Sequence, residues 1–312
     1  MVLKEIARIR LPEHPADGGF DHAAVDGKTD RLYVAHTSND SVDVIDLRSQ
    51  TYLRSLEGLK GVAGVWVNDE LGLLFTSNRG EDTASAFAIE STGERELFRI
   101  PTGARPNGMA FDPGRELWMI AGVGNPKLEN APPSLTFVDT RNQKVVGRLA
   151  LPGRTRWAIY HRATDAFYVN IADPPAIAMV RAGDISKVHR MYPIPAKGPH
   201  GLEQDPNGEV LYCACDEAVL ATLNLRTGGV EIVGPLAGSP DVLWVDPGTG
   251  HLFAATDEAA TVDVFGIQPP RHLETVPTSP GAHTLTVDAK RHQVHVFLPE
   301  SHEDLVLQDP TA

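Results

Sequence analysis

The sequence predicts an all-β protein, a seven-bladed β-propeller with four antiparallel strands in each blade. A short motif recurs seven times at spacings of 41 to 49 residues, and each interval has room for four short strands. The 28 glycines and 24 prolines among the 312 residues supply the turns that such strands need. Each motif opens with one residue, called the slot residue below, and continues as an apolar strand. The slot residues are Asp21, Ala63, Asn107, Arg156, His200, Asp241 and His283.

The first repeat defines the four strands of a blade. Its predicted strands are residues 21–26, 31–36, 41–47 and 51–56. β-Branched and aromatic residues are enriched in these segments, helical periodicity is weak, and turn residues such as Gly27 and Asp40 separate them. Later repeats follow the same scheme, with strands predicted at residues 210–214 and 218–225 in the fifth.

The seventh repeat is one strand short. Residues 283–288, 293–298 and 304–308 account for three strands, and residues 4–11 supply the fourth. Residues 283–309 and 3–20 together contain 45 residues, the length of one repeat. We therefore expect the N-terminal strand to close the ring as the outer strand of the last blade, which removes an open sheet edge. Residues 1–312 then form a single domain.

The net charge of the chain and its two cysteines indicate which binding partners and which cellular compartment to expect. A formal net charge of −13 has the wrong sign for binding a nucleic-acid backbone or an anionic membrane. The N-terminal sequence predicts no secretory signal, and no apolar stretch is long enough to span a bilayer. The two cysteines, Cys213 and Cys215, are too close in sequence to favour a disulfide. We expect a cytoplasmic protein with a small-molecule substrate, and a monomer as the simplest assembly.

One repeat is longer than the others, because residues 122–133 are inserted between the second and third strands of blade 3. Connections of this type emerge on the side of the ring that carries the slot residues. A long loop inside a compact repeat is uncommon and often functional. We expect this loop either to overhang the slot residues and restrict access to them or to be a passive, solvated insertion.

The repeat resembles that of the seven-bladed YVTN-type propellers, the YncE-like proteins. The resemblance is carried by residues 32–35 (LYVA), 41–46 (SVDVID) and 105–112 (RPNGMAFD), and it implies a fold rather than an activity. Residues 198–208 (GPHGLEQDPNG) are similar to the Pro-His segment of the seven-bladed lactonase and muconate-cyclising propellers. A histidine at this place lies in the active site of those enzymes, so the resemblance implies a catalytic role for His200.

The first residues of the inner strands meet at one mouth of a propeller's channel, so the slot residues should be neighbours. His200, Asp241, His283 and Asp21 belong to four consecutive blades and offer a mixed nitrogen and oxygen ligand set. This set suits Zn²⁺, Mn²⁺ or Fe²⁺ better than Ca²⁺, and it predicts a divalent transition metal at the mouth. The alternative is a water-filled channel lined by solvated polar side chains.

Without a metal, the same residues can act as acid and base. A histidine paired with an aspartate is a workable general base near its ordinary pKa of about 6.5. We assign His200, Asp241 and Arg156 as catalytic residues. The predicted substrate-binding residues are Asn107, Arg156 and Trp157, with Trp157 either an aromatic wall or a core residue.

Three further residues lie deeper in the predicted channel. Glu203 is a candidate channel carboxylate or a structural residue. Trp66 and Trp244 share its register in their own blades and are expected to pack between blades.

The leading functional hypothesis is a metal- or His-assisted hydrolase that acts on a lactone or related ester at the channel mouth. A lyase or isomerase of the muconate-cyclising kind needs only a base beside an anion-binding group and is the first alternative. The second alternative is a non-catalytic propeller that binds a ligand or a protein on its disc face.

Overall fold

The computed structural model of the protein describes residues 3–14 and 18–311. These residues form seven four-stranded antiparallel sheets, arranged as the blades of a ring, and one short 3₁₀ helix at Thr37–Asn39. The fold is the predicted seven-bladed β-propeller. Residues 1, 2, 15–17 and 312, some of which belong to the predicted closing segment, lie outside the described residues.

The N-terminal strand β1 (Lys4–Arg10) belongs to the last blade, and the other strands follow four to a blade from the channel outwards. Blade 1 is formed by β2 (Phe20–Asp26), β3 (Arg31–His36), β4 (Ser41–Asp46) and β5 (Thr51–Leu56). Blade 2 is formed by β6 (Val62–Asn68), β7 (Leu73–Asn78), β8 (Thr83–Glu90) and β9 (Gly93–Pro101). Blade 3 is formed by β10 (Pro106–Asp112), β11 (Leu117–Gly122), β12 (Ser134–Asp139) and β13 (Lys144–Ala150).

Blade 4 is formed by β14 (Thr155–His161), β15 (Ala166–Ile171), β16 (Ala176–Arg181) and β17 (Arg190–Pro193). Blade 5 is formed by β18 (Pro199–Gln204), β19 (Val210–Cys215), β20 (Val219–Asn224) and β21 (Val230–Pro235). Blade 6 is formed by β22 (Pro240–Asp246), β23 (His251–Thr256), β24 (Thr261–Ile267) and β25 (Pro270–Pro277). Blade 7 is formed by β26 (Thr284–Asp288), β27 (Gln293–Leu298), β28 (Glu303–Gln308) and β1.

The N-terminal strand closes the ring, as predicted. In blade 7 the strands run in the order β26-β27-β28-β1, and β1 is antiparallel to β28. Ile9 and Leu11 are buried in a cluster that also contains Phe297 and Val306. The inner strands contact one another around the ring, including β2 of blade 1 with β26 of blade 7. The strand ends predicted above agree with the structure to within one residue.

In six blades the inner strand is irregular at its slot residue. Its register with the second strand shifts between Phe20 and Ala23 in blade 1, and at the equivalent place in blades 2 to 6. A bulge leaves a residue out of the ladder and bends the strand. The slot residues therefore lie where the inner strand departs from its neighbour, at one end of the channel.

Two glycines bring neighbouring inner strands close together at this end. A Cβ atom at Gly108 would lie 2.5 Å from the backbone oxygen of Arg156, and one at Gly64 would lie 2.3 Å from that of Asn107. Because any other residue would force the strands apart, glycine after the slot residue allows the slots of successive blades to adjoin.

Apolar side chains pack between neighbouring blades. The largest fully buried side chains include Trp118, Tyr33, Tyr168 and Tyr212, each on the second strand of its blade. Burial of a large apolar side chain contributes about 1.5–3 kcal/mol, so these layers hold the blades together. Among the described residues no helix is long and apolar enough to cross a membrane.

Candidate functional site

His200 is the centre of a cluster of charged side chains at the channel mouth. Its Nδ1 atom lies 2.7 Å from Oδ1 of Asp216, which directly follows the second strand of the same blade. Its Nε2 atom lies 2.5 Å from Oδ1 of Asp241 in blade 6 and 2.8 Å from Nη1 of Arg156 in blade 4. The structure thus brings together the three residues that the sequence analysis assigned as catalytic.

The charges in this cluster support one another. Burial alone would lower the pKa of His200, but Asp241 and Asp216 outweigh burial and raise it. Burial alone would raise the pKa of both aspartates. His200 nevertheless holds the pKa of Asp241 well below its usual range and, together with Arg156, lowers that of Asp216. The arrangement therefore favours a protonated His200 between two carboxylates.

The Nε2 atom of His200 has two neighbours with opposite requirements. When Nε2 carries a proton, it donates to Asp241; when it does not, its lone pair accepts an N–H group of Arg156. Nδ1 keeps its proton in both states, because the carboxylate of Asp216 accepts it. Each protonation state of Nε2 therefore has a hydrogen-bond partner, Asp241 for the protonated state and Arg156 for the unprotonated state. A group that acts as both acid and base needs both states to be stable.

The two other predicted metal ligands lie at the edge of this cluster. Nε2 of His283 is 3.8 Å from Oδ2 of Asp241. Burial alone would lower the pKa of His283, but Asp241 and Asp21 raise it. Asp21 itself pairs with Arg79, whose Nη2 atom lies 3.2 Å from Oδ2 of the aspartate.

The predicted metal centre of Asp21, His200, Asp241 and His283 is not assembled as a coordination set. Carboxylates engage both ring nitrogens of His200, and the guanidinium of Arg156 places a positive charge next to Nε2. In residues 3–14 and 18–311, no group of three or more His, Cys, Asp or Glu side chains is arranged to hold a metal ion. A metal-binding mouth is therefore not confirmed.

Trp157 and Asn107, both predicted to bind substrate, are largely buried. Trp157 is 9% exposed, and its ring centroid lies 4.0 Å from that of His22. Because these residues belong to blades 4 and 1, their contact crosses the axis of the channel. Trp157 also belongs to a buried apolar cluster formed by residues of blades 4 and 5, so it is a core residue beneath the mouth rather than a side wall. Asn107 lies beside Arg156 in the ring, and its Oδ1 atom has no hydrogen-bond partner among the described residues.

Four arginines lie close together at the mouth, namely Arg79, Arg105, Arg154 and Arg156. Burial, Arg79 and Arg154 lower the pKa of Arg105; burial, Arg156 and Arg79 lower that of Arg154. Like charges this close repel one another, and an anion bound among them relieves the repulsion. In a chain of net charge −13, this concentration of positive charge is suited to recognising an anionic group.

The long loop of blade 3 lies beside these arginines. Residues 122–133 connect β11 to β12, as predicted, and line a cavity of about 580 Å³ together with Arg105 and Arg154. Val123 and Leu128 contribute apolar surface to the same cavity. The cavity thus combines two cations with apolar walls, a combination that fits a ligand with an anionic and an apolar part.

Four residues of the site were not predicted from the sequence, namely Asp216, Arg79, Arg105 and Arg154. Asp216 and Arg79 directly follow the second strands of their blades, where the chain emerges at the mouth. A comparison of this position across all seven repeats is the signal that would have found them. Arg105 and Arg154 each lie two residues before a slot residue, where four of the other repeats have glycine, so the two arginines depart from the repeat pattern.

Comparisons with known proteins support the fold. No protein-family model matches the chain, and no curated protein matches it. Among solved structures 1712 chains match, which marks a common architecture. One is hydrazine synthase from Kuenenia stuttgartiensis, with a TM-score of 0.79 at 13% sequence identity over 94% of this chain and 96% of that chain. At this identity the similarity shows a seven-bladed β-propeller and no activity, and membership of the YVTN-type family is not confirmed.

Proposed function

We propose that the protein is a hydrolase that opens a lactone or related ester bearing an anionic group, with His200 as the general acid–base. The proposal is carried by one observation, the position of His200 between Asp216 and Asp241 with Arg156 at its Nε2 atom. The arginines beside it support an anionic substrate.

In this mechanism the anionic group of the substrate binds Arg79, Arg105 and Arg154. Above the raised pKa of His200, where Nε2 is unprotonated, the ester carbonyl binds Arg156 and draws it away from Nε2. The freed lone pair takes a proton from a water molecule as that water attacks the carbonyl carbon. Arg156 stabilises the negative charge that develops on the carbonyl oxygen.

The second half of the reaction returns the proton. The imidazolium of His200, stabilised by Asp241, donates its Nε2 proton to the alkoxide oxygen as the carbon–oxygen bond breaks. Asp216 keeps Nδ1 protonated throughout and so leaves Nε2 as the atom that exchanges the proton. The product of a lactone is the corresponding hydroxy acid.

A lyase or isomerase of the muconate-cyclising kind is the second candidate. The four arginines favour it, because proton transfer at a carbon next to a carboxylate needs a base and an anion-binding group but no attacking water. The same residues serve both reactions, and only the reacting atom of the substrate differs.

We further propose a cytoplasmic location, a small-molecule substrate, and a monomer without nucleic-acid or membrane partners. Cys213 and Cys215 support the location, since both are buried free thiols with their Sγ atoms 3.9 Å apart. Reduced cysteines are typical of the cytoplasm. The negative net charge supports the absence of nucleic-acid and membrane partners.

The test is an NMR assay in D₂O of γ- and δ-lactones with and without a carboxylate substituent. The His200→Gln variant is compared with His272→Gln, a change at an exposed histidine on β25. We expect ring opening of the carboxylated lactones, loss of this activity in His200→Gln, normal activity in His272→Gln, and no effect of a chelator.

Other outcomes identify the alternatives. Deuterium incorporation into carbon without ring opening indicates the lyase or isomerase. Binding without turnover indicates a non-catalytic propeller. Activity that a chelator abolishes and Zn²⁺, Mn²⁺ or Fe²⁺ restores contradicts the metal-free mechanism and supports the metal centre expected from the sequence.

A further inference from the structure

A second cavity opens at the other end of the channel. Its volume is about 720 Å³, and its walls are built by the last residues of the inner strands, among them Val67, Glu203 and Val245. The contact between His22 and Trp157 crosses the channel between this cavity and the mouth. The cavity is therefore separate from the candidate active site.

Glu203 places a carboxyl group in the wall of this cavity. Its Oε1 atom accepts the backbone N–H of Gln204 at 2.7 Å, and its Oε2 atom has no hydrogen-bond partner among the described residues. Burial raises the pKa of Glu203 to about 7. Glu203 is half-buried, so a carboxylate held here is costly, because it loses part of its water and no cation of the described residues lies against it.

Aromatic side chains form much of the rest of the wall. Trp66 and Trp244 occupy the same register as Glu203 in blades 2 and 6 and line the cavity. The ring of Trp66 is fixed by Phe111 and Phe75, whose ring centroids lie 5.8 and 5.9 Å away. Aromatic faces attract cations, and tryptophan does so most strongly. The two tryptophans therefore pack against the core, as predicted, and also face the cavity.

The remaining charged groups of the lining also favour a cation. Asp69 and Glu70 lie in the wall, and burial and Asp26 raise the pKa of Asp69. The described part of the lining contains one positively charged side chain, that of Arg162, which is exposed to solvent.

Two other titratable groups of the lining are occupied by local hydrogen bonds. Asp205 accepts backbone N–H groups of Glu209 and Val210. His161 is bonded to Thr164 and to the backbone oxygen of Gly208, and burial lowers its pKa, so its ring is uncharged at neutral pH.

We propose that this cavity binds a small organic cation, an amine or quaternary ammonium compound, with Glu203 as its counter-ion and Trp66 and Trp244 as its aromatic walls. The site is independent of the proposed hydrolase activity. The matched charges and the aromatic faces distinguish it from a simple apolar cavity, which would bind a neutral molecule of the same shape equally well.

The test compares choline with 3,3-dimethyl-1-butanol, its uncharged isostere, by titration calorimetry on the full chain. We expect choline to bind at least about tenfold more tightly, the difference that roughly 1.4 kcal/mol of cation attraction produces. Equal binding of the two compounds, or binding of neither, overturns the proposal. This comparison needs only the wild-type protein.

Two further measurements locate the site. Glu203→Gln, which keeps the shape of the side chain, should weaken choline binding and leave the isostere unaffected, whereas Glu231→Gln on the exposed outer strand β21 should change neither. Choline affinity should also rise between about pH 6 and 8, because the cation binds the ionised form of Glu203, whose pKa lies near 7. Choline binding that is unchanged in Glu203→Gln or independent of pH contradicts the assignment of Glu203.

Discussion

The Nδ1 atom of His200 and the Oδ1 atom of Asp216 lie 2.7 Å apart, although one residue begins the inner strand of blade 5 and the other follows the second strand. The two strands are antiparallel, so the start of one adjoins the end of the other. A hydrogen bond at this point fixes which ring nitrogen keeps its proton. The repeat architecture itself therefore supplies the orientation of the proposed acid–base.

Replacing Asp216 should reduce activity without abolishing substrate binding. In Asp216→Asn the amide cannot hold the Nδ1 proton as the carboxylate does, so Nε2 is less often the free base. We expect kcat to fall about 100-fold, the range of an acid–base contribution, with KM little changed. The control is Glu217→Gln at the exposed neighbouring residue. An unchanged kcat, measured by steady-state kinetics, contradicts the role of Asp216.

Replacing Asp241 should shift the pH dependence. Asp241 is the strongest of the charges that raise the pKa of His200 against burial. Asp241→Asn removes the negative charge that opposes the effect of burial. The pKa of His200 should therefore fall, and the activity that depends on the unprotonated base should begin at lower pH. The imidazole proton signals of His200 in an NMR titration measure this directly. A pKa that rises or stays fixed would show that Asp241 does not control the charge of His200.

Removal of His200 should destabilise the fold in a particular pH window. The raised pKa of His200 gives stability that is complete below its unfolded pKa of about 6.5 and is lost as pH rises through the folded pKa. The lowered pKa values of Asp216 and Asp241 give stability that is present above about pH 3.9 and is lost as pH falls. The window of greatest stabilisation therefore runs from about pH 4 to 6.5.

In His200→Ala we expect a loss of about 1–3 kcal/mol inside this window and a smaller loss at about pH 9, measured by urea unfolding. His272→Ala at the exposed position on β25 is the control. A loss that is the same at every pH would mean that packing, and not the ion pair, is responsible.

Shortening the long loop should change ligand affinity without affecting folding. Replacement of residues 122–133 by a short glycine-containing turn removes the apolar walls that face Arg105 and Arg154. We expect weaker binding of ligands with an apolar part and a smaller effect on small anions, since the arginines remain. Calorimetric titrations with both classes of ligand test this, and identical affinities for both would identify the loop as a passive insertion.

Deletion of residues 1–11 should open the ring. The deletion removes β1 together with Ile9 and Leu11, leaves the outer edge of β28 unpaired and exposes Phe297 and Val306. We expect aggregation, or a melting temperature lower by about 10 °C or more. A truncated protein that melts like the parent would contradict the closing role of β1.

The sequence was sufficient to predict the repeat, the closing strand and the convergence of the slot residues, because these follow from periodicity and strand length. It did not reveal the partners of those residues. Asp216 and Arg79 stand outside the inner strands, and the electrostatic competition at Nε2 of His200 depends on distances of a few tenths of an ångström. The contact of Arg156 with Nε2 of His200, beside the predicted metal ligands, could not be foreseen for the same reason.

Blade 7 unites strands from opposite ends of the chain, and this imposes an order on biosynthesis. Among the strands of the ring, β1 leaves the ribosome first and its partner β28 leaves last. At roughly 5–20 residues per second, translation separates the two events by roughly 15–60 s. Until β28 has been synthesised, the ring is therefore incomplete, β1 has no partner strand, and Ile9 and Leu11 are exposed to solvent. We expect any misassembly between chains on one polysome to be concentrated in that interval and to end when residues 303–308 emerge.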